Sequence, residues 1–366
     1  MSQSNRNIVI VTSEFPPQPG GIGNHAYNLA SYLNRHGCNV KVIADQRSKN
    51  GKEEAVFDQE LDFLVKRIKL YNWRIVMYIK RILLTFKYFK NATHIIATGK
   101  FSLWNVAFCS FFFKQKIIAV IHGTEVNFKS SLLRKSINFS LKRFDQIVAV
   151  SNYTKKFVTH LNKDIVVIPN GIDSSKWHNS KAQILLKGQP VLITVGRVSS
   201  RKGQLNVIKQ LPELIKKFPE LHYHCVGIPT EVDRFLKVAK SLDVSSHVTF
   251  HGSVDDNQLK QTLEASDVFV MLSTESATGD VEGFGIAILE ANAMGIPALG
   301  ATGCGIEDAI NPHSSGILIE VDDSNQFING ITEILAERSK FKYGAVTWAK
   351  THDWNTIINQ YLVLFE

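Results

Sequence analysis

The chain has few cysteines. Its four, Cys38, Cys109, Cys225 and Cys304, lie far apart in 366 residues and form no C-x-x-C pair. That spacing excludes a disulfide framework and a structural zinc site, and it fits a reducing compartment. Long apolar runs are also missing. The most apolar stretch, Phe101 to Phe113, stops at Lys114-Gln115-Lys116, well short of the ~20 residues a membrane-spanning helix needs. The start, MSQSNRNIVIVTSEF, reads as a strand and not as a signal peptide. The sequons at Asn91, Asn138 and Asn152 are therefore expected to have no consequence. There is no internal repeat or low-complexity tract, and no acidic residue at all between Phe63 and Thr124.

What is present describes a folded α/β protein. Hydrophobic residues make up 44% and charged residues 20% of the sequence, a globular composition, and the length suggests two domains. The net charge of +9 is unevenly placed: residues 1–170 carry 25 Lys and Arg against 10 Asp and Glu, leaving 17 against 23 for the rest. A basic half and an acidic half follow, and the basic half is expected to meet something anionic.

Short β-branched runs alternate with helical patterns, the signature of a parallel sheet covered on both faces. In the first half these runs are NIVIVT, VKVIA, HIIAT, IIAVI, QIVAV and IVVIP. In the second they are VLITVG, HYHCVG, HVTFHG, DVFVML, PALGA and GILIE. Between the two series, residues 174–189 are polar and irregular and read as a linker. The expected division is 1–173, joined by a C-terminal helix over 346–366, and 174–345. Ligands of such sheets bind beyond the carboxyl ends of the strands.

Three of those strand ends carry candidate chemistry. Pro19-Gly20-Gly21-Ile22-Gly23 lies between a strand and a helix expected from Gly23 to Asn34. It is either a plain tight turn or a backbone cradle for phosphate, and it matches neither dinucleotide nor Walker spacing. Gly196-Arg197 to Arg201-Lys202-Gly203 places two or three cations before a helix, enough to hold a diphosphate, with a solvated basic turn as the plain alternative. The segment Glu282-Gly283-Phe284-Gly285 to Glu290 sets two carboxylates eight positions apart around a helix expected to start near Phe284. Carboxylates accept sugar hydroxyls and free amides accept phosphate. The apolar neighbours of Glu290 argue against a merely solvated surface helix.

Together these segments resemble the retaining glycosyltransferases of family 4. The resemblance includes His122-Gly123-Thr124-Glu125, Val150-Ser151-Asn152, Ile168-Pro169-Asn170-Gly171-Ile172-Asp173 and the tail from His352-Asp353-Trp354 to Tyr361. It implies the GT-B fold, two facing Rossmann-like domains with a cleft between them and a final helix crossing back to the first. It also implies roles. Arg197 and Lys202 would neutralise the donor diphosphate, with the amides of Gly21 to Gly23 contacting it as well. Glu290 would bond the ribose and Glu282 the transferred sugar, the Phe284 and Gly285 amides would contact sugar or phosphate, and His122 would sit beside the donor sugar. Asp173 and Glu125 read as structural, a turn or cap and a surface acid. Ile228-Pro229 replaces a common second glycine, and Gly303-Cys304-Gly305-Ile306-Glu307 departs from the usual Gly-Gly-x-Pro-Glu.

The expected activity is metal-independent transfer of a hexose from a GDP- or UDP-linked sugar to a glycan or lipid-linked acceptor, with retention and without a cofactor. Asp255-Asp256 reads as a helix cap and not as a metal pair. An epimerase or phosphorylase on the same scaffold, or a non-catalytic nucleotide- or membrane-binding subunit, are the alternatives. Within 66–90, Ile75, Ile79, Ile82, Phe86 and Phe89 form one helical face, while Arg74, Arg81, Lys80 and Lys87 line the other among further apolar residues. That mixture suits an anionic membrane surface or, more simply, a core helix with a basic exterior. No nucleic-acid module accompanies the charge. A cytoplasmic enzyme, peripheral on the inner face of the cell membrane, is the expectation.

Overall fold

The computed structural model describes residues 6–177 and 184–366, and it divides into two compact units, Met1–Asn170 with Trp354–Glu366 and Gly171–Asp353. Part of the expected linker, residues 178–183, lies outside the described residues.

The first unit runs β1 (Asn7–Thr12), α1 (Gly21–Arg35), β2 (Asn39–Asp45), α2 (Lys52–Gln59), β3 (Leu64–Ile68), α3 (Arg74–Phe89), β4 (His94–Thr98), α4 (Lys100–Cys109), β5 (Lys116–Ile121), α5 (Ser131–Leu141), β6 (Gln146–Ala149), α6 (Asn152–Lys156) and β7 (Ile165–Val167). Its sheet has the order β3-β2-β1-β4-β5-β6-β7, and every pair is parallel. The order reverses between β1 and β4, which puts a binding crevice at the carboxyl ends of those strands. Strand β3 was not expected from the sequence. Its Leu-Val-Lys-Arg alternates exposed and half-buried positions before a buried Ile68, as an edge strand does, and it lacks the continuous apolar run of its neighbours.

The second unit runs β8 (Val191–Val195), α7 (Gln204–Lys217), β9 (His222–Val226), α8 (Val232–Ser241), β10 (Val248–Gly252), α9 (Asp256–Glu264), β11 (Val268–Met271), α10 (Ile286–Ala293), β12 (Ala298–Ala301), β13 (Gly316–Ile319), α11 (Ser324–Ala336) and α12 (Arg338–Thr351). Its sheet order is β10-β9-β8-β11-β12-β13, again parallel and Rossmann-like. A last helix, α13 (Trp354–Val363), belongs to the first unit and packs on α1. Trp354 and Tyr361 of α13 are fully buried, and the Trp354 ring stacks on Tyr32 at 5.9 Å.

Helix α3 corrects the reading of its faces. Ile75 and Ile79 are exposed, at 66% and 52%, whereas Arg81 is buried. The Arg81 Nε donates to Asp45 on β2 at 3.1 Å, and a second guanidinium nitrogen donates to the other carboxylate oxygen. A bidentate partner inside the fold, not water, draws this cation inward. Asp255 behaves as read: its side chain accepts from the Gln258 amide at 2.8 Å and closes a capping box.

Candidate functional site

In the first unit the candidate groups gather at the strand ends. Gly20 is the N-cap of α1, so Gly21, Ile22 and Gly23 are its first turn and not a loop before it. The amides of that turn precede the helix's own hydrogen bonds, the first of which runs from Asn24 to the Gly20 carbonyl at 2.9 Å. The loop leading in is pinned by two arginines. Arg47 donates to the carbonyls of Gln18 and Pro19 at 3.3 Å, and Arg67, held bidentate by Asp58, donates to that of Pro16 at 2.5 Å.

His122 follows β5, with its Nε2 2.9 Å from the Thr98 hydroxyl at the end of β4. Burial pushes its pKa down to about 3, so the imidazole is neutral and serves as a hydrogen-bonding group. His25, buried on α1, sets its ring edge-on to His122 at 4.9 Å, and its Nε2 meets the Tyr361 hydroxyl of α13 at 3.0 Å. Glu125 is the correction here. It is fully buried and no surface acid; one carboxylate oxygen accepts the His122 backbone N–H and the other meets no donor. Burial raises its pKa to about 7.

In the second unit, the loop after β8 and the loop after β11 face each other. Gly203 sits at φ +85°, and a Cβ there would lie 2.1 Å from the Leu272 carbonyl carbon, so only glycine lets the two loops approach. Asn206 ties them by donating to the Leu272 carbonyl at 2.8 Å. Lys202 Nζ and Arg201 Nη1 both reach the same oxygen of Glu282, each at 2.6 Å. Burial alone would raise the Glu282 pKa; the two cations hold it below the usual carboxylate range.

Arg201 is the partner of Glu282 that residue-by-residue reasoning did not single out. The signal was present in the run Arg197-x-x-x-Arg201-Lys202, but sequence alone does not say which of its members turns toward Glu282. Arg197 is exposed, and its guanidinium forms no ion pair or hydrogen bond among the described residues.

Helix α10 begins at Ile286, two residues later than expected, because Gly285 at φ +90° forms its N-cap. Glu290 therefore lies about one turn inside the helix and not two. Phe284 is buried, with its ring 5.9 Å from that of His352. Burial lifts the Glu290 pKa to about 7, nearby Asp256 adding to the rise while Lys202 opposes it. The departure at Gly303 to Glu307 keeps a tight local fold: Gly305 N–H donates to the Glu282 carbonyl at 3.1 Å, and Gly303 N–H to the Glu307 carboxylate at 2.6 Å.

Gly21, Gly23 and His122 thus belong to one unit, and Arg197, Lys202, Glu282, Phe284, Gly285 and Glu290 to the other. Within the second, Lys202 and Glu282 are in contact, whereas Arg197 forms an ion pair with neither among the described residues.

Comparison with known proteins places these halves. A family model described as glycosyl transferases group 1 matches residues 175–345, and one described as Glycosyltransferase Family 4 matches residues 19–176. The chain is 26% identical over 359 residues to a GDP-mannose-dependent monoacylated alpha-(1-6)-phosphatidylinositol monomannoside mannosyltransferase of Corynebacterium glutamicum, covering 91% of this chain and 89% of that protein. A GDP-mannose-dependent alpha-(1-6)-phosphatidylinositol monomannoside mannosyltransferase of Mycobacterium tuberculosis is 26% identical over 241 residues; the match spans 62% of either chain. Among solved structures, Anabaena Alr3699/HepE in complex with UDP and glucose superposes with a TM-score of 0.78 at 19% identity, over 98% of this chain and 99% of that one. A glycosyltransferase from Rickettsia africae ESF-5 gives 0.79 at 18% identity, over 99% and 98%. These structures share the two-Rossmann GT-B fold.

Proposed function

The chain belongs to the family 4 glycosyltransferases, and on that premise we propose that it moves a hexose from a GDP- or UDP-linked sugar to a hydroxyl of a glycan or lipid-linked acceptor, with retention and without a metal. The observation that carries the donor reading is the cluster in which Lys202 and Arg201 share one oxygen of Glu282, with Glu290 one turn inside the neighbouring helix. Two cations on one carboxylate leave local positive charge already in place and oriented, which is what a departing nucleoside diphosphate requires. Arg197, unpaired, adds a planar fork suited to phosphate oxygens.

The proposed reaction gives the candidate residues the following parts. The C1–O bond to the diphosphate breaks as the acceptor oxygen bonds to C1 from the same face, and the acceptor's proton passes to the departing phosphate oxygen. The cations of Lys202 and Arg197 stabilise the charge that grows on that phosphate, the role a divalent ion plays elsewhere. Glu290 accepts the ribose hydroxyls, Glu282 those of the sugar, and neutral His122 supplies a hydrogen bond beside the sugar. Both polysaccharide and glycolipid assembly fit such chemistry.

A second observation favours a lipid acceptor met at a membrane. Trp73 is 75% exposed, and Ile79, Leu83, Phe111, Phe112 and Phe139 are exposed on α3, α5 and the turn after α4. Phe111 and Phe139 stack across elements at 6.5 Å, and Phe86 and Phe112 meet at 5.2 Å. Lys80 and Lys87 are exposed on the same helix. Apolar and cationic groups side by side match the inner leaflet of a membrane, where each Lys or Arg adds about 1 kcal/mol.

The test is thermal shift with GDP, UDP and ADP and their sugars, followed by a transfer assay with the stabilising donor in which the anomeric configuration of the product is read by NMR. Stabilisation by one donor, with an α-linked product from an α-linked donor and activity preserved in chelator, is the expected result. Inversion would overturn the mechanism, and stabilisation without transfer to any glycan or lipid acceptor would overturn the activity.

A further inference from the structure

Of the two nitrogens of the His122 ring, the protein engages one and leaves the other open. Nε2 lies 2.9 Å from the Thr98 hydroxyl. Nδ1 meets no hydrogen-bond partner among the described residues. The nearby side-chain atoms that are buried without a partner are His25 Nδ1 and Glu125 Oε2; His122 Nδ1 is not one of them, so it opens to solvent. The residue is held from two further sides. Glu125 accepts the His122 backbone N–H, and His25 sets its ring edge-on to the imidazole at 4.9 Å. A neutral imidazole carries one N–H and one lone pair, so only one of its nitrogens can donate.

Thr98 decides which one. It closes β4, it is fully buried, and His122 Nε2 is the one hydrogen-bond partner of its hydroxyl among the described residues. If Nε2 carried the ring proton, it would donate to the hydroxyl oxygen. The threonine O–H would then point into a dry interior with no acceptor, and buried polar groups left in that state are costly and rare. If Nε2 is bare, the hydroxyl donates to it and no proton is stranded. The ring proton then sits on Nδ1, the nitrogen that solvent or a ligand can reach. Sheet register and side-chain stiffness hold the pair in place. Thr98 lies opposite Val120 of β5, two residues before His122, and a β-branched side chain has little freedom at χ1.

We propose that Thr98 is a positioning residue: by donating to Nε2 it fixes the His122 proton on Nδ1, and that N–H donates to an oxygen of the transferred sugar. The sugar in this statement rests on the glycosyltransferase reading; the tautomer does not. Burial keeps the ring neutral, with a pKa of about 3, so no second proton competes at ordinary pH. Two consequences follow for the reaction. A protonated Nδ1 cannot take the proton of the acceptor hydroxyl, so His122 is no general base and that proton is left to the departing phosphate. The group that meets Nδ1 must also offer a lone pair, so a donor sugar lacking that hydroxyl leaves the N–H unmatched.

Solid-state NMR of the full chain with isotope-labelled histidine tests it at neutral pH, the His122 signal being identified among the 12 histidines by its loss in His122→Gln. The expected spectrum shows a protonated Nδ1 and a bare Nε2. Thr98→Val keeps the shape of the side chain, removes the hydroxyl and loses that fixed pattern; Thr98→Ser restores it. In transfer assays at saturating donor, Thr98→Val lowers turnover about tenfold, the scale of one neutral hydrogen bond. Affinity for the preferred nucleoside diphosphate stays unchanged, and Thr98→Ser recovers most of the rate. A protonated Nε2 in the wild-type chain overturns the assignment, whether or not the protein transfers sugar. Survival of the Nδ1 pattern in Thr98→Val, at an unchanged melting temperature, removes Thr98 from the role. The expected tautomers with turnover unmoved by Thr98→Val overturn the bond to the sugar. Absence of transfer by the wild-type chain overturns the glycosyltransferase reading and leaves the tautomer standing.

Discussion

Lys202 places its ammonium 2.6 Å from an oxygen of Glu282 that Arg201 contacts at the same distance. The carboxylate spaces the two cations and keeps them from repelling each other outward into solvent. When a diphosphate arrives, Lys202 need not be recruited from a floppy conformation, and that saving in reorganisation is the physical content of electrostatic catalysis. Lys202→Ala is expected to lower turnover by about 10²–10³, the usual scale for removing one preorganised stabilising group. Steady-state kinetics at saturating donor checks it; near-normal turnover with nucleotide binding unchanged would remove Lys202 from the diphosphate.

Glu290 gives a prediction with a definite sign. Its pKa, raised to about 7 by burial, means that the free enzyme at pH 6 holds the carboxyl mostly protonated. Only the ionised form accepts two ribose hydroxyls, so nucleotide affinity rises with pH, roughly tenfold from pH 6 to pH 8. Glu290→Gln flattens this profile. Calorimetric titration with the preferred nucleoside diphosphate at three pH values decides it, and a slope unchanged in the variant would assign the titration elsewhere.

The Arg81–Asp45 pair separates fold from surface on one helix. Both residues are buried, so Arg81→Ala strands a carboxylate and is expected to destabilise the protein by about 3–5 kcal/mol. Arg74 and Lys80, exposed on the same helix, leave stability within about 0.5 kcal/mol when changed. Chemical denaturation measures the first effect. The second pair is then free for membrane work: reversing Arg74 and Lys80 is expected to weaken salt-sensitive flotation with anionic liposomes without touching the melt. No loss of flotation would end the cationic docking reading.

A histidine group on the second sheet is expected to contribute to acid sensitivity. His222 and His224 of β9 set their rings 4.7 Å apart, and His224 Nδ1 meets His251 Nε2 at 2.9 Å. Burial, reinforced by the neighbouring histidines, lowers the His222 pKa to about 4; burial also lowers those of His224 and His251. Below the ordinary histidine value the unfolded chain therefore takes up protons that the folded one refuses. Stability is whole above pH 6.5 and falls as pH drops from 6.5 toward 4. His222→Gln removes part of this loss, visible as a smaller drop in melting temperature between pH 7.5 and pH 5; an identical drop would place the acid sensitivity in other groups.

The twelve apolar runs read from sequence all became strands because a doubly covered parallel strand must be apolar at every position, a signal that needs no partner to be seen. β3 escaped because an edge strand lacks that requirement. The faces of α3 escaped for a different reason. Periodicity says that Ile75 and Ile79 share a side, but only Asp45, far away in the chain on β2, makes burying Arg81 the better arrangement. Glu125 is similar: four letters after a strand do not reveal that its carboxylate turns back to the His122 amide. In the site, Lys202, Glu282 and Glu290 were legible as types at a spacing. That Arg201 shares Glu282 while Arg197 does not depends on the course of a loop that Gly203 and Asn206 bring against Leu272.

The contact between His25 and Tyr361 has a consequence for how the molecule is made. These residues are 336 positions apart, and the second unit is inserted between the two stretches of chain that compose the first. During synthesis the ribosome delivers the first sheet early, but the helix that braces His25 beside His122 emerges only after the whole second unit. Until then Tyr32 and His25 lack the Trp354 and Tyr361 side chains that cover them. The first sheet to be translated is thus the last to be finished, and a nascent chain stalled before Trp354 exposes the surface that α13 would seal.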